Sequence, residues 1–243
     1  VIDDVTVQRL SENMFRISSA EPNLEWIQSN ATRMDVNVTD DSFTTAALAI
    51  SRGAKNIYMV SDIEDAKVLR DKVGADYCVG EVDGKKPAGF DFGNSPYEIK
   101  QIELTNKSLV LSTRAGVVGV NSVEKSDVIM GASLVNAEAT CTWLQRKAFE
   151  KVTIVAMGWA GITRTDEDEI CAMYIRNLLE HRKTDHNSIK NMILSSSHVS
   201  KFDDVNLPWY HPQDRDIALD INSIDCQIVI SSEEGILVAR RGV

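Results

Sequence analysis

The middle of the chain alternates short apolar runs with longer amphipathic stretches. Asn56–Val60 is an apolar run, read as a strand. Ser61 then stands three residues before Glu64, the spacing of a capping box, and Ile63–Val73 reads as a helix closed by Gly74. Tyr77–Val79 is a second strand and Ser108–Leu111 a third, followed by a glycine-containing turn and a short helix to about Val123. Asp127–Met130 is a fourth strand, Val135–Phe149 a helix, Val152–Met157 a strand, and Glu167 to His181 a further helix. Repeated strand–helix units predict an α/β fold in three α/β/α layers around a mainly parallel sheet.

The two ends follow another rhythm. Val1–Ile17 alternates apolar and polar residues, which predicts an edge strand or hairpin. Cys226–Ile230 and Ile236–Ala239 are apolar runs parted by Ser231-Ser232-Glu233-Glu234-Gly235, which predicts a terminal hairpin and a candidate subunit interface. No linker rich in Pro, Gly or Ser interrupts the pattern and no repeat is visible, so one domain over residues 1–243 is expected.

Composition narrows the function. A chain of 243 residues with 43% hydrophobic residues can bury a core without disulfides or structural metals. The net charge of -10 excludes a nucleic-acid partner, which needs a basic face, and a basic membrane-binding surface. No apolar run reaches the roughly 20 residues of a membrane span. Cys78, Cys141, Cys171 and Cys226 are widely spaced in apolar runs, which predicts buried thiols in a reducing, cytoplasmic compartment.

Ligands of open α/β sheets bind beyond the carboxyl ends of strands, so the loops after strands are the places to search. Asp35-Val36-Asn37-Val38-Thr39-Asp40-Asp41 reads as such a loop, leading into a helix Ser42–Ile50 with Gly53 as its cap. Asp40 and Asp41 suit Mg²⁺, a hard ion that takes oxygen ligands, and equally suit helix capping. Asp35-x-Asn37-x-Thr39 has a faint likeness to the motif of haloacid-dehalogenase phosphatases, with Asn in place of its second Asp. Gly80 to Pro96 is long for a connection, holds four glycines, and has Glu81 directly after a strand, so it is read as a site-forming loop ahead of a packed loop without chemistry. Asn94-Ser95-Pro96 reads as the start of a short helix.

Ser112-Thr113-Arg114-Ala115-Gly116 offers two hydroxyls and a guanidinium, groups that hold a phosphate by charge-assisted hydrogen bonds, or form an ordinary turn. Asp166-Glu167-Asp168-Glu169 opens a helix, where the helix dipole and capping explain most of the charge, while one or two acids can turn inward to a metal. The four histidines are scattered, and neither a serine-hydrolase elbow nor a dinucleotide-binding glycine motif is present.

Together the loops resemble the Mg²⁺-dependent 2-phosphosulfolactate phosphatases of coenzyme M biosynthesis. The match rests on Gly80-Glu81 and Gly89-Phe90-Asp91-Phe92-Gly93-Asn94-Ser95-Pro96, with support from Gly53-Ala54, from Gly131 to Ala137, and from Glu167-Asp168 before Ile170-Cys171-Ala172. The resemblance implies a phosphoric monoester hydrolase acting on a small phosphorylated substrate; a homo-oligomer is a candidate state only because homo-oligomers are common. It implies Asp40, Asp41, Glu81, Glu167 and Asp168 as Mg²⁺ ligands, with Glu81, Asp41 and Asp168 as catalytic acids. Ser112, Thr113, Arg114, Asn94 and Ser95 would bind substrate. Counting back from Gly53 sets Val38 and Asp41 where the family carries Asp and Arg. That departure motivates an alternative, a diverged member that binds a small anionic ligand or a protein partner without phosphatase chemistry.

Overall fold

The structure is a computed structural model and describes residues 6–11, 14–18, 35–39, 42–113, 116–121, 123, 126–149, 151–158 and 164–243. Two strands, β1 (Thr6–Ser11) and β2 (Met14–Ser18), form a separate antiparallel hairpin, as the alternating pattern predicts. The main sheet holds β3 (Asp35–Thr39), β4 (Asn56–Val60), β5 (Tyr77–Gly80), β6 (Ser108–Ser112), β7 (Ile129–Ala132), β8 (Val152–Ala156), β9 (Ile228–Glu233) and β10 (Ile236–Arg241). Helices α1 (Ser42–Ser51), α2 (Ile63–Val73), α3 (Pro96–Ile99), α4 (Gly116–Asn121), α5 (Ala137–Lys147), α6 (Asp166–Leu179), α7 (His186–Leu194) and α8 (Pro212–Ala218) connect and cover the strands. The α/β class is as expected.

Local chemistry sets several boundaries. Asp62, in extended conformation, accepts from the Glu64 and Asp65 amides, so Asp62 rather than Ser61 caps α2. Gly74 ends the helix at φ 65°, the left-handed conformation that glycine adopts without steric cost. Residues 35–39, expected to be loop, are strand β3, hydrogen-bonded in parallel to β7 on one side and β8 on the other. A central position gives every backbone group of this short, half-polar segment a partner, which its own pattern does not reveal. The Asp35-x-Asn37-x-Thr39 likeness therefore falls inside a strand and not on a loop after one.

The strand order is β5-β6-β4-β10-β9-β7-β3-β8. Neighbours within β5-β6-β4 and within β7-β3-β8 are parallel, and the three central contacts, β4–β10, β10–β9 and β9–β7, are antiparallel. The C-terminal hairpin thus lies at the middle of the sheet with both its edges paired. A half turn about an axis normal to the sheet, between β9 and β10, exchanges β3 with β6, β4 with β7 and β5 with β8, and preserves every pairing sense. The chain shows no sequence repeat, yet its topology is a two-fold repeat of strand–helix–strand–helix–strand with the first strands exchanged: β6 sits between β4 and β5, and β3 between β7 and β8.

The largest core cluster joins both halves. Phe43, Ala46, Ala47 and Ile50 of α1 pack with Ile57, Met59, Leu109 and Leu111 of one block, Val117 and Val120 of α4, and Ile228, Ile230 and Ala239 of the hairpin. Gly131 of β7 lets α1 approach: a β-carbon there would come within 2.3 Å of the Phe43 ring. A second cluster, with Ile170, Tyr174 and Ile175 of α6 against Leu134, Ala137 and Cys141, covers the other block. Across the two opposed blocks α4, which follows β6, packs on β3 and on Met157 after β8.

Candidate active site

The loop after β5 folds back on the sheet edge. Phe92 forms a parallel bridge with Val79, and the amides of Asp91 and Phe92 donate to the Cys78 carbonyl. Asp91 Oδ2 accepts from the Cys78 amide at 2.8 Å and pairs with Arg70 at 3.0 Å. Between these, Val82 and Lys85 exchange backbone hydrogen bonds around Asp83 and Gly84, at φ 52° and 80°, the two positive angles of a tight hairpin turn. Glu81 Oε2 accepts from the Gly84 amide at 2.6 Å, which fixes this carboxylate at the end of β5. Gly80 is needed for contact rather than for conformation: a β-carbon there would lie 2.4 Å from the Ser112 carbonyl and 2.9 Å from the Phe90 ring.

Register then assembles a row. Val79 pairs with Phe92 on one side and Leu111 on the other, and Gly80 with Ser112. Glu81 follows β5 and Thr113 follows β6, Asn94 lies two residues beyond the Phe92 bridge, and the Glu81 amide still donates to the Ser112 carbonyl. Ser112 and Thr113 are 1% and 3% exposed, and Ser112 Oγ, Thr113 Oγ1 and Asn94 Oδ1 are buried without a hydrogen-bond partner. Buried polar groups are seldom left unpaired, because each costs roughly 1–3 kcal/mol, so three at the end of β6 and in the loop after β5 are the mark of a ligand site.

Ser95 behaves differently. As expected, it caps α3, accepting from the Glu98 amide, and its hydroxyl donates to Asp214 Oδ1 at 2.8 Å. Asp214 also accepts from the Tyr97 amide. It lies on α8, and burial pushes its carboxyl above the usual carboxylate range. Ser95 thus holds the turn in place instead of facing a ligand.

A second constellation lies where α6 begins. Asp168, 5% exposed, accepts from the Gly158 amide at 2.8 Å and the Thr165 hydroxyl at 3.0 Å. Asp168 and Glu167 line a cavity of about 50 Å³ with Thr44, Ser133, Lys201 and Arg215, closed by apolar Leu134, Phe202 and Leu219. The Arg215 guanidinium donates to Asp203 at 2.7 Å. Tyr210 connects the two regions. Its ring lies where a Gly84 β-carbon would be, its hydroxyl meets the Asp83 carbonyl, and it stacks edge-on against Phe202 in the cavity wall. Burial, then the charges of Glu81 and Asp83, raise its phenol above its ordinary value.

The structure thus sets Glu81, Ser112 and Thr113 at the ends of β5 and β6, Asn94 in the loop after β5, and Glu167 with Asp168 in a cavity whose wall does not include Glu81. Asp40, Asp41 and Arg114 lie outside the described residues. Among the described residues no group of three or more His, Cys, Asp or Glu is arranged to hold a metal ion. Sequence reasoning missed Lys201, Arg215 and Asp214, which come from a C-terminal segment without motif spacing. Pro212–Ala218 reads Pro-Gln-Asp-Arg-Asp-Ile-Ala, a mostly polar helix in which no local signal sets Asp214 or Arg215 apart.

A model of the family described as 2-phosphosulpholactate phosphatase matches residues 35–208. Proteins named "Probable 2-phosphosulfolactate phosphatase" align with part of the chain. The one from Thermosynechococcus vestitus is 35% identical over 131 residues, 53% of this chain and 53% of its own. That from Carboxydothermus hydrogenoformans is 32% identical over 140 residues, 58% of this chain and 57% of its own. That from Thermotoga petrophila is 36% identical over 118 residues, 49% and 50% respectively. The chain spans about half the length of the curated relatives it matches.

Proposed function

The chain belongs to the 2-phosphosulpholactate phosphatase family, and on that premise we propose that it is a phosphoric monoester hydrolase acting on a small anionic phosphomonoester, by family likeness 2-phosphosulfolactate. The observation that carries this reading is the set of unpaired buried groups at the end of β6 and in the loop after β5, Ser112 Oγ, Thr113 Oγ1 and Asn94 Oδ1. Hydroxyl donors suit phosphoryl oxygens, and bonds to a charged acceptor are the stronger ones. In the reaction, water adds to phosphorus, the bond from phosphorus to the ester oxygen breaks, and the departing alkoxide takes up a proton to leave an alcohol and inorganic phosphate. Ser112 and Thr113 would orient the phosphoryl group, and the loop that carries Asn94 would exclude bulk water. Arg114, next in sequence, would add the positive charge.

Mg²⁺ fits the donor set. Glu81 and the unpaired Asn94 Oδ1 are hard oxygen donors, and an ion that keeps several waters needs few protein carboxylates. Glu81 would hold it, with Asp40, Asp41, Glu167 and Asp168 as the remaining candidates. When bound, the ion would neutralise phosphoryl charge and activate water. The four buried free cysteines support a reducing, cytoplasmic setting. Self-association would have to use a surface other than the edges of the C-terminal hairpin.

A second reading, a ligand-binding member without turnover, is favoured by Val38 and Asp41 standing where the family carries Asp and Arg. Phosphate release from a panel of small phosphomonoesters, measured with Mg²⁺ and with EDTA, separates the two. Mg²⁺-dependent release is expected, and no release from any ester would overturn the proposal.

A further inference from the structure

The turn at Asp83-Gly84 closes on one pair of backbone hydrogen bonds, exchanged between Val82 and Lys85. A two-stranded hairpin is marginal in water by itself. Yet the amide of Gly84, at the tip of this one, fixes the Glu81 carboxylate through Oε2 at 2.6 Å. Two aromatic side chains from the segment before α8 support the turn from outside. The Tyr210 ring fills the space beside Gly84, where a β-carbon would come within 2.3 Å of it. The Tyr210 hydroxyl reaches the Asp83 carbonyl at 3.5 Å, a long contact. Lys85 Nζ lies 4.2 Å from the centre of the Trp209 ring.

We propose that Tyr210 is a positioning residue for Glu81: it holds the Asp83-Gly84 turn, so that the carboxylate is in place before Mg²⁺ binds. This role rests on the reading of Glu81 as a Mg²⁺ ligand and adds the group that orients it. Tyr210 can do this because it is itself held. Its ring stands edge-on to Phe202 at 5.8 Å and tilted to Trp209 at 6.3 Å, and its amide donates to the Leu207 carbonyl at 3.0 Å. Four residues on, Asp214 accepts from the Ser95 hydroxyl and the Tyr97 amide, both at 2.8 Å. One short stretch, Trp209 to Asp214, thus grips the loop after β5 near its beginning and at its end. A carboxylate that is already ordered loses less side-chain entropy when it takes a metal. Two of the three Tyr210 atoms nearest the missing β-carbon, Cζ and Cε1, belong to the ring, so phenylalanine keeps most of the contact.

Two measurements on the whole protein test this. The first is hydrogen exchange of the Gly84 amide without metal. Tyr210→Ala should speed it about tenfold or more while amides of β5 and β6 keep their native rates, and Tyr210→Phe should stay within about twofold of native. The second is Mg²⁺ affinity by calorimetry. Tyr210→Ala should weaken it about tenfold, the usual effect of removing a group that orients a metal ligand, and Tyr210→Phe by less than about twofold. In a Glu81→Ala background, Tyr210→Ala should weaken it no further. Native exchange at Gly84 in Tyr210→Ala would overturn the proposal. So would native Mg²⁺ affinity in that variant when Glu81→Ala lowers it, or a Tyr210→Phe variant as impaired as Tyr210→Ala. If Glu81→Ala leaves Mg²⁺ affinity unchanged, the metal reading of Glu81 fails instead, and faster exchange at Gly84 in Tyr210→Ala still supports the hold of Tyr210 on the turn.

Discussion

At the scale of single residues, close approach and burial decide which side chains the site tolerates. A methyl group on Gly80 would lie 2.4 Å from the Ser112 carbonyl, a backbone atom that cannot rotate away. Gly80→Ala should therefore part the ends of β5 and β6 and cost about 1–3 kcal/mol, the usual range for overpacking. A urea midpoint equal to that of the native protein would show that the strand ends are not so close. Asp214 makes a pH-dependent prediction. Burial raises its carboxyl above the ordinary value, so the folded protein holds that proton more tightly than the unfolded chain. Its contribution is full below the ordinary carboxylate range and is lost as pH rises through the raised native value. Asp214→Asn should thus gain stability relative to the native protein over that climb and run parallel to it above. A constant difference across the window would contradict the assignment. Burial likewise pushes the thiol of Cys141 up to about 12 and that of Cys226 to about 11. Neither should be alkylated by iodoacetamide at neutral pH until urea unfolds the chain, and rapid native labelling would be the contrary result.

At the scale of elements, helices were the more legible. Ile63–Val73 and its Gly74 cap stand as the pattern predicts, because the helix period and its stop signal are local. The short helix after Asn94-Ser95 was legible for the same reason, since serine and proline mark the cap and first turn. Strand β3 was not legible, because a short half-polar segment becomes a strand only through its neighbours β7 and β8. The site divides along the same line. Glu81, Ser112 and Thr113 follow strands and could be read from the loops. Asp214 meets Ser95 across 119 residues, and Arg215 enters the cavity from the same helix, a contact that no local pattern announces.

At the scale of the whole molecule, exchanged first strands interlock the two halves within one sheet. The β9–β10 hairpin joins the blocks, bonded to β4 on one side and β7 on the other. Val238 of β10 is 1% exposed, so Val238→Asp would bury an unpaired charge at the seam. It should abolish the fold of both halves together, with far-UV circular dichroism and tryptophan fluorescence lost in one transition. Survival of one half with native-like exchange protection would contradict a single cooperative unit.

The central claim is that the unpaired groups at the ends of β5 and β6 hold the transferred phosphoryl group. The most direct test is the double variant Ser112→Ala, Thr113→Val, assayed for kcat/KM on the best phosphomonoester with Mg²⁺ and for urea stability. Two lost bonds to a charged ligand predict a fall of about a hundredfold or more in kcat/KM. Removing two unpaired buried hydroxyls predicts stability equal to or about 1 kcal/mol above that of the native protein. Undiminished kcat/KM in a folded double variant would contradict the account.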